Sequence, residues 1–133
     1  MLSLERTTAT LRYRLVEELK RRGLTGPQYN VLRILRGSEP TGLCRHEIQG
    51  RLITPVPDVT RLRDRLEDAD LIGRERSDED RRLVRTRITR QGLDVLAKLD
   101  EPIAAAHLRQ LGHMSRADLR ELIALLAEAR DGS

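Results

Sequence analysis

A chain of 133 residues is long enough to bury a real core and too short for a catalytic domain beside a separate binding domain, so one domain over residues 1–133 is expected. Its 25 Lys+Arg against 21 Asp+Glu leave a net charge of +4, so any nucleic-acid surface has to come from local clustering rather than bulk charge. Two tyrosines are the only aromatics, which argues against a single-strand binder built on stacking platforms, and no run approaches the roughly 18 apolar residues that cross a bilayer.

Leu4, Leu11, Leu15 and Leu19 recur at helical spacing, so the chain opens with an amphipathic helix over residues 2–22 that Gly23 ends. Thr25-Gly26-Pro27-Gln28 combines a capping residue, a proline in the first turn and a glutamine at the third helical position. It predicts a second helix with Val31, Leu32 and Leu35 inward and Tyr29 alongside. Residues 37–42 form a turn cluster, and a short helix over 44–52 follows, with Ile48 and Leu52 on one side. The next helix is expected over 55–69, with Pro55 and Pro57 in its first turn, where a missing N–H costs nothing. Val59, Leu62 and Leu66 should line its buried side, leaving Pro57, Thr60, Arg61, Asp64 and Arg65 outward.

Ile72 begins a strand over 72–76, a polar loop spans 77–82, and a second strand over 83–88 alternates Val84, Thr86 and Ile88 with Leu83, Arg85 and Arg87. A lone hairpin is marginal, so it should pack beside the helices. Thr89 caps a further helix that Pro102 should kink or restart. Ser115 starts a last helix carrying a wide apolar stripe of Leu119, Leu122, Ile123, Leu125 and Leu126. The fold class is mainly α with a small β-hairpin wing: a winged helix-turn-helix bearing N- and C-terminal dimerisation helices.

The helix pair over 44–69, joined by a short turn, fits a helix-turn-helix whose second helix offers its N-terminal half to a major groove. Thr60 and Arg61 are the residues expected at base edges or nearby phosphates, since an arginine can grip guanine O6 and N7 together. Asp64 and Arg65, one turn on, shape the site or touch the backbone, and Arg74 on the first strand joins the candidate surface. In the wing, Asp78, Glu79 and Asp80 nearly cancel the attraction of Arg81 and Arg82 for phosphate. The account that fits is an acid, Asp80, orienting one arginine so that the other is presented to the minor groove. Arginine makes up 23 of the 25 basic residues, but a high-GC genome explains that bias without invoking DNA.

The stretches L-T-G-P-Q-Y-N-V-L-R-I-L-R-G, E-I-Q-G-R-L-I-T-P-V-P-D-V-T-R-L-R-D-R-L-E, R-E-R-S-D-E-D-R-R-L-V and I-T-R-Q-G together resemble the MarR family of bacterial winged-helix regulators, over residues 24–99. The resemblance implies a homodimer whose first and last helices interlock with those of the partner, and two winged lobes on a pseudo-palindromic duplex operator. On that pattern residues 24–90 are the DNA-binding lobe, and 1–22 with 90–133 the dimerisation helices. It also implies that Asp80 is the wing acid and Arg82 the minor-groove arginine, with Arg81 as the alternative. Independently, the apolar terminal helices have little else in the chain to cover them, which points to association as well. The chain departs from the family at Arg63, where an aliphatic residue is usual, making that position a packing edge or an added phosphate contact.

The function expected is a transcriptional regulator reading double-stranded DNA, a repressor whose affinity responds to a small-molecule effector. The effector region is sought among the first, second and fifth helices, with Tyr13 or Tyr29 as a polar handle. The alternatives are a winged protein-interaction module that does not read DNA, or a redox- or metal-responsive regulator. A single cysteine, Cys44, excludes an internal disulfide and fits a reducing cytoplasm, and it reads better as a partly buried small hydrophobe than as a sensor. His46, His107 and His113 lack zinc-site spacing. No motif supports catalysis, a cofactor or a membrane anchor.

Overall fold

The computed structural model describes residues 1–132. Six helices and one hairpin follow in the order α1 (Leu2–Lys20), α2 (Gly26–Gly37), α3 (Arg45–Arg51), α4 (Val59–Asp68), β1 (Ile72–Arg76), β2 (Val84–Ile88), α5 (Arg90–Leu111) and α6 (Arg116–Asp131).

Local capping sets most of these limits. At the head of α2, the Gln28 N–H donates to Thr25 Oγ1 at 3.3 Å while the Thr25 N–H donates to Gln28 Oε1 at 3.0 Å, so two otherwise orphaned donors are satisfied. Thr89 and Ser115 accept from Gly92 and Asp118 N–H groups, each at 3.0 Å, and start α5 and α6 in the same way. Gly23, at φ +69°, turns the chain so that the Leu24 N–H reaches back to the Leu19 carbonyl at 3.1 Å.

Two expectations about the helices need correction. Pro55 and Pro57 lie ahead of α4 rather than in its first turn, because Asp58 is the cap: its Oδ1 accepts from the Arg61 N–H at 2.9 Å. A residue followed by proline is pushed toward extended backbone, so Thr54 and Val56 keep this segment out of the helix. Pro102 does not restart its helix, since α5 runs unbroken from Arg90 to Leu111 with Leu99, Ile103 and Ala106 buried around the proline. The apolar packing of those neighbours offsets the hydrogen bond that proline forfeits.

A single core gathers Leu19 of α1, Leu32 and Leu35 of α2, Ile48 of α3, Leu66 of α4, Ile72 and Ile88 of the hairpin, and Leu96 and Leu99 of α5. Arg36 adds a polar tie between α2 and α5, its two terminal nitrogens donating to Asp100 at 2.8 and 3.1 Å; this bonding raises the pKa of the guanidinium. The two strands pair antiparallel in the register Ile72 with Ile88 and Arg74 with Thr86. Leu43 extends that ladder by one residue, exchanging backbone hydrogen bonds with Thr86 at 3.0 and 2.7 Å, which pins the hairpin to the segment before α3.

The two terminal helices are different in kind. Leu19 is the one buried residue of α1, whereas Leu2 and Leu4 are exposed, and among the described residues none in α6 is buried. The apolar stripe of α6, with Ile123 at 67% and Leu125 at 54% exposure, faces away from the core.

Candidate nucleic-acid interface

α3 packs against α4 as the first helix of a helix-turn-helix packs against the second. The face of α4 turned inward consists of Val59, Arg63 and Leu66, spaced by four and three residues, with Leu62 only half-buried beside them. Leu62 was expected on the buried side and Arg63 at a packing edge or as an added phosphate contact; Leu62 is partly buried against the core and Arg63 takes the inner position.

The opposite face carries Thr60, Arg61, Asp64 and Arg65, all exposed, and Pro57 is exposed just ahead of the Asp58 cap. Among the described residues the side chains of Thr60, Arg61 and Arg65 have no polar partner. Asp64 is engaged: Arg74 reaches across from β1 and donates to it through Nη2, while Arg74 Nε lies 2.7 Å from Glu67 Oε2. With two carboxylates on one guanidinium, Arg74 braces the hairpin against α4 and brings no free positive charge to the surface.

In the wing, Asp80 Oδ1 accepts from the backbone N–H of Arg82 at 3.0 Å and from its Nε at 3.3 Å. The Arg82 side chain nonetheless stays 93% exposed. The acid therefore holds Arg82 itself, and Arg81 is exposed without a side-chain partner among the described residues. The loop is tied further by the Ser77 N–H to the Leu83 carbonyl at 2.9 Å and by Arg76 Nη1 to the Arg81 carbonyl at 2.8 Å. Arg76 and Asp58 both went unremarked in the sequence. Asp58 was findable, being an acid three residues before the N–H that it caps, but the two prolines drew the expected helix start upstream.

Behind the wing, Arg87 donates to Glu39 through Nε at 3.3 Å and Nη2 at 2.8 Å, and lies 3.8 Å from Glu75. The bonds to Glu39 raise its pKa. Gly42, at φ +74°, lies so close that a Cβ there would fall 2.6 Å from Arg87 Cγ and 2.7 Å from the Thr86 carbonyl oxygen.

A separate cavity of about 330 Å³ opens between α1, α2 and the segment that leads into α4. Leu15, Val16 and Tyr29 give it apolar walls, and Arg12, Arg33 and Asn30 supply polar groups. Arg33 stands over the Tyr29 ring at 5.8 Å. The wall contributed by the connecting segment is held at two points, by Arg12 Nη2 on Thr54 Oγ1 at 3.1 Å and by the Ile53 N–H on Asn30 Oδ1 at 2.8 Å. Of the two tyrosines singled out in the sequence, Tyr29 lines this cavity, while Tyr13, 68% exposed, lines a different groove between α1 and α5. The fifth helix, expected to contribute, does not line the cavity.

Cys44 forms the cap of α3, its N–H donating to Glu47 Oε1 at 3.1 Å, and hydrogen bonding to Cys44 holds the Glu47 carboxyl below its usual range. Among the described residues no group of three or more His, Cys, Asp or Glu side chains is arranged to hold a metal ion, and no helix is long and apolar enough to cross a membrane.

The model of the MarR family matches residues 24–84. A MarR transcription factor from Planctomyces limnophilus is 41% identical, with 95% of this chain and 91% of that chain covered at a TM-score of 0.73. AbsC, a MarR-family transcriptional regulator from Streptomyces coelicolor, is 25% identical over 98% of this chain and 91% of that one, with a TM-score of 0.83. The S. aureus MepR–DNA complex superposes at a TM-score of 0.87 over 99% of this chain and 96% of that one; at 18% identity it shows a shared fold. No curated protein matches the chain.

Proposed function

The chain belongs to the MarR family of transcriptional regulators, and on that footing we propose that it acts as a homodimer on a pseudo-palindromic duplex operator. It represses transcription there and loosens from DNA when a small molecule occupies the cavity between α1 and α2. The observation that carries this reading is the outer face of α4, where Thr60, Arg61 and Arg65 stand exposed and unpartnered among the described residues on a helix whose other face is buried. Such a face fits a major groove, and a free guanidinium in the first turn suits the paired acceptors of guanine. Arg81 and Arg82 extend the positive surface to the wing tip, where a narrow minor groove attracts arginine. Asp64 and Arg74, bound to each other, shape the edge of the site. That MepR has been crystallised with DNA supports duplex DNA as the partner.

Dimerisation is supported by Leu2, Leu4, Ile123 and Leu125, large apolar side chains left exposed on the two terminal helices. In this reading residues 24–90 are the DNA-binding lobe, and residues 1–22 with 90–133 join the two copies. A two-fold dimer of such lobes reads half-sites about one helical turn apart.

The effector reading rests on the cavity's size, within the range of small-molecule sites, and on its wall. That wall runs directly into the α4 cap, so a ligand with an apolar body and an acidic group, competing for Arg12, would free Thr54 and change how α4 is presented. The test is selection of duplexes from a random-sequence library, followed by binding at several salt concentrations. A shared motif and a steep loss of affinity with salt are expected, because phosphate contacts release counterions. Recovery of duplexes with no common sequence would sink the reading.

A further inference from the structure

Arg63 occupies a place on α4 where the inward face calls for an apolar side chain. It is 7% exposed, between the buried Val59 and Leu66. Its Nη1 donates to Thr86 Oγ1 at 3.3 Å, and its Nε is buried with no partner among the described residues. Among the described residues no carboxylate bonds it, and the neighbouring Asp64 and Glu67 pair with Arg74. Burial lowers its pKa, and the nearby guanidinium groups of Arg74 and Arg45 add to that effect. A buried cation held by one hydroxyl costs stability relative to an apolar side chain of similar volume. A merely structural residue at this place would be aliphatic.

The acceptor is itself firmly held. Thr86 is fully buried, its backbone N–H and carbonyl are both bonded to Leu43, and it lies opposite Arg74 of β1 in the hairpin register. The apolar contacts of Val59 and Leu66 are non-directional and allow a ten-residue helix to roll on its bed, whereas a hydrogen bond to a fixed hydroxyl does not. A roll of about 20° carries a group about 6 Å from the helix axis through about 2 Å, several times the tolerance of a bidentate contact. The ion pairs of Arg74 brace the same helix from its outer side, where solvent reaches the Asp64 and Glu67 carboxylates and screens them, while the Arg63 bond acts from the inner side.

We propose that Arg63 is a positioning residue for sequence reading: its bond to Thr86 fixes the rotation of α4 against β2, and so the direction in which Arg61 and Arg65 leave the helix. This rests on the DNA-reading function proposed above. Its Nη1 is turned onto Thr86 and its Nε is buried, so in this proposal it acts through the helix.

The test compares wild type with Arg63→Met, Thr86→Val and Thr86→Ser on two probes: a duplex selected from a random library by the wild-type protein, and a scrambled duplex of the same composition. Methionine keeps the length and removes the charge. Arg63→Met is expected to melt at or above the wild-type temperature and to bind the scrambled duplex with unchanged affinity and salt slope. Its affinity for the selected duplex should fall at least tenfold. Thr86→Val should lose discrimination in the same way, and Thr86→Ser, which keeps the hydroxyl, should retain it. The proposal is overturned if Arg63→Met keeps the ratio between the two probes. It is equally overturned if both affinities fall together with a shallower salt slope, which would make Arg63 a phosphate contact. Should Arg63→Met fail to fold, Thr86→Val decides: retained discrimination there ends the proposal. A wild-type protein that selects no duplex overturns the DNA-reading function itself.

Discussion

Arg61 leaves the first turn of α4 with no carboxylate among the described residues to share its charge, directly beside the Asp58 cap that holds its own amide. If α4 reads DNA as proposed, the two residues divide the work of that turn between reading and stability. Replacing Arg61 with alanine removes the reading group alone, so discrimination between selected and random duplex is expected to fall by about 1–3 kcal/mol while the melting temperature holds. Competition binding with both duplexes measures this, and equal losses on the two would reassign Arg61 to the phosphates. Asp58→Ala removes the cap, which is worth about 1 kcal/mol of folding stability in urea denaturation. It also deletes a negative charge from the helix end proposed to face DNA, so affinity for random duplex should hold or rise even as the frayed turn reads less well. Weaker binding to random DNA would show that the cap's charge does not face the phosphates. The Arg82 guanidinium illustrates a third arrangement, in which an acid steers an arginine without covering it, since Asp80 bonds the Nε side and leaves the side chain 93% exposed.

Among the elements, the hairpin is the one most dependent on its surroundings. Five paired residues per strand would be marginal alone, and the Leu43 bridge, the Arg87–Glu39 pair and the Arg74 brace supply the missing support. Gly42 lies where the bridge and the ion pair meet. Gly42→Ala would impose a left-handed backbone on a residue with a Cβ and drive that atom against the Thr86 carbonyl, which cannot step aside. A loss on the order of 1–3 kcal/mol is expected in denaturant unfolding; a variant as stable as wild type would show the loop to be more pliable than its geometry allows. Much of this was legible beforehand. β1 spans the residues that its pattern predicted, and the capping signals at Thr25, Thr89 and Ser115 started the helices that they announced. Such signals are local, written within three or four residues. Arg63 was not legible, because hydrophobic periodicity sends an arginine outward by default and its acceptor lies 23 residues away. The cavity was legible in part: α1, α2 and Tyr29 line it as expected, but its third wall comes from Ile53 and Thr54, which no period connects to them, and not from α5.

At the scale of the whole molecule, α6 stands out for having no buried residue, though its sequence carries one of the chain's broadest apolar stripes. An amphipathic helix draws most of its stability from the surface it packs on. If a second copy supplies that surface, folding of the ends and association are one equilibrium, and the melting temperature should climb by a few degrees for each tenfold rise in protein concentration. Calorimetry over a hundredfold concentration range measures the slope. A midpoint independent of concentration, with sedimentation as a monomer, would leave the α6 stripe without its second copy. The consequence reaches beyond the test tube. A regulator whose terminal helices were completed by its twin would be sensitive to its own abundance: with few copies present, dilution alone would act as a mild denaturant, and the number of chains in the cell would help decide how many of them are whole.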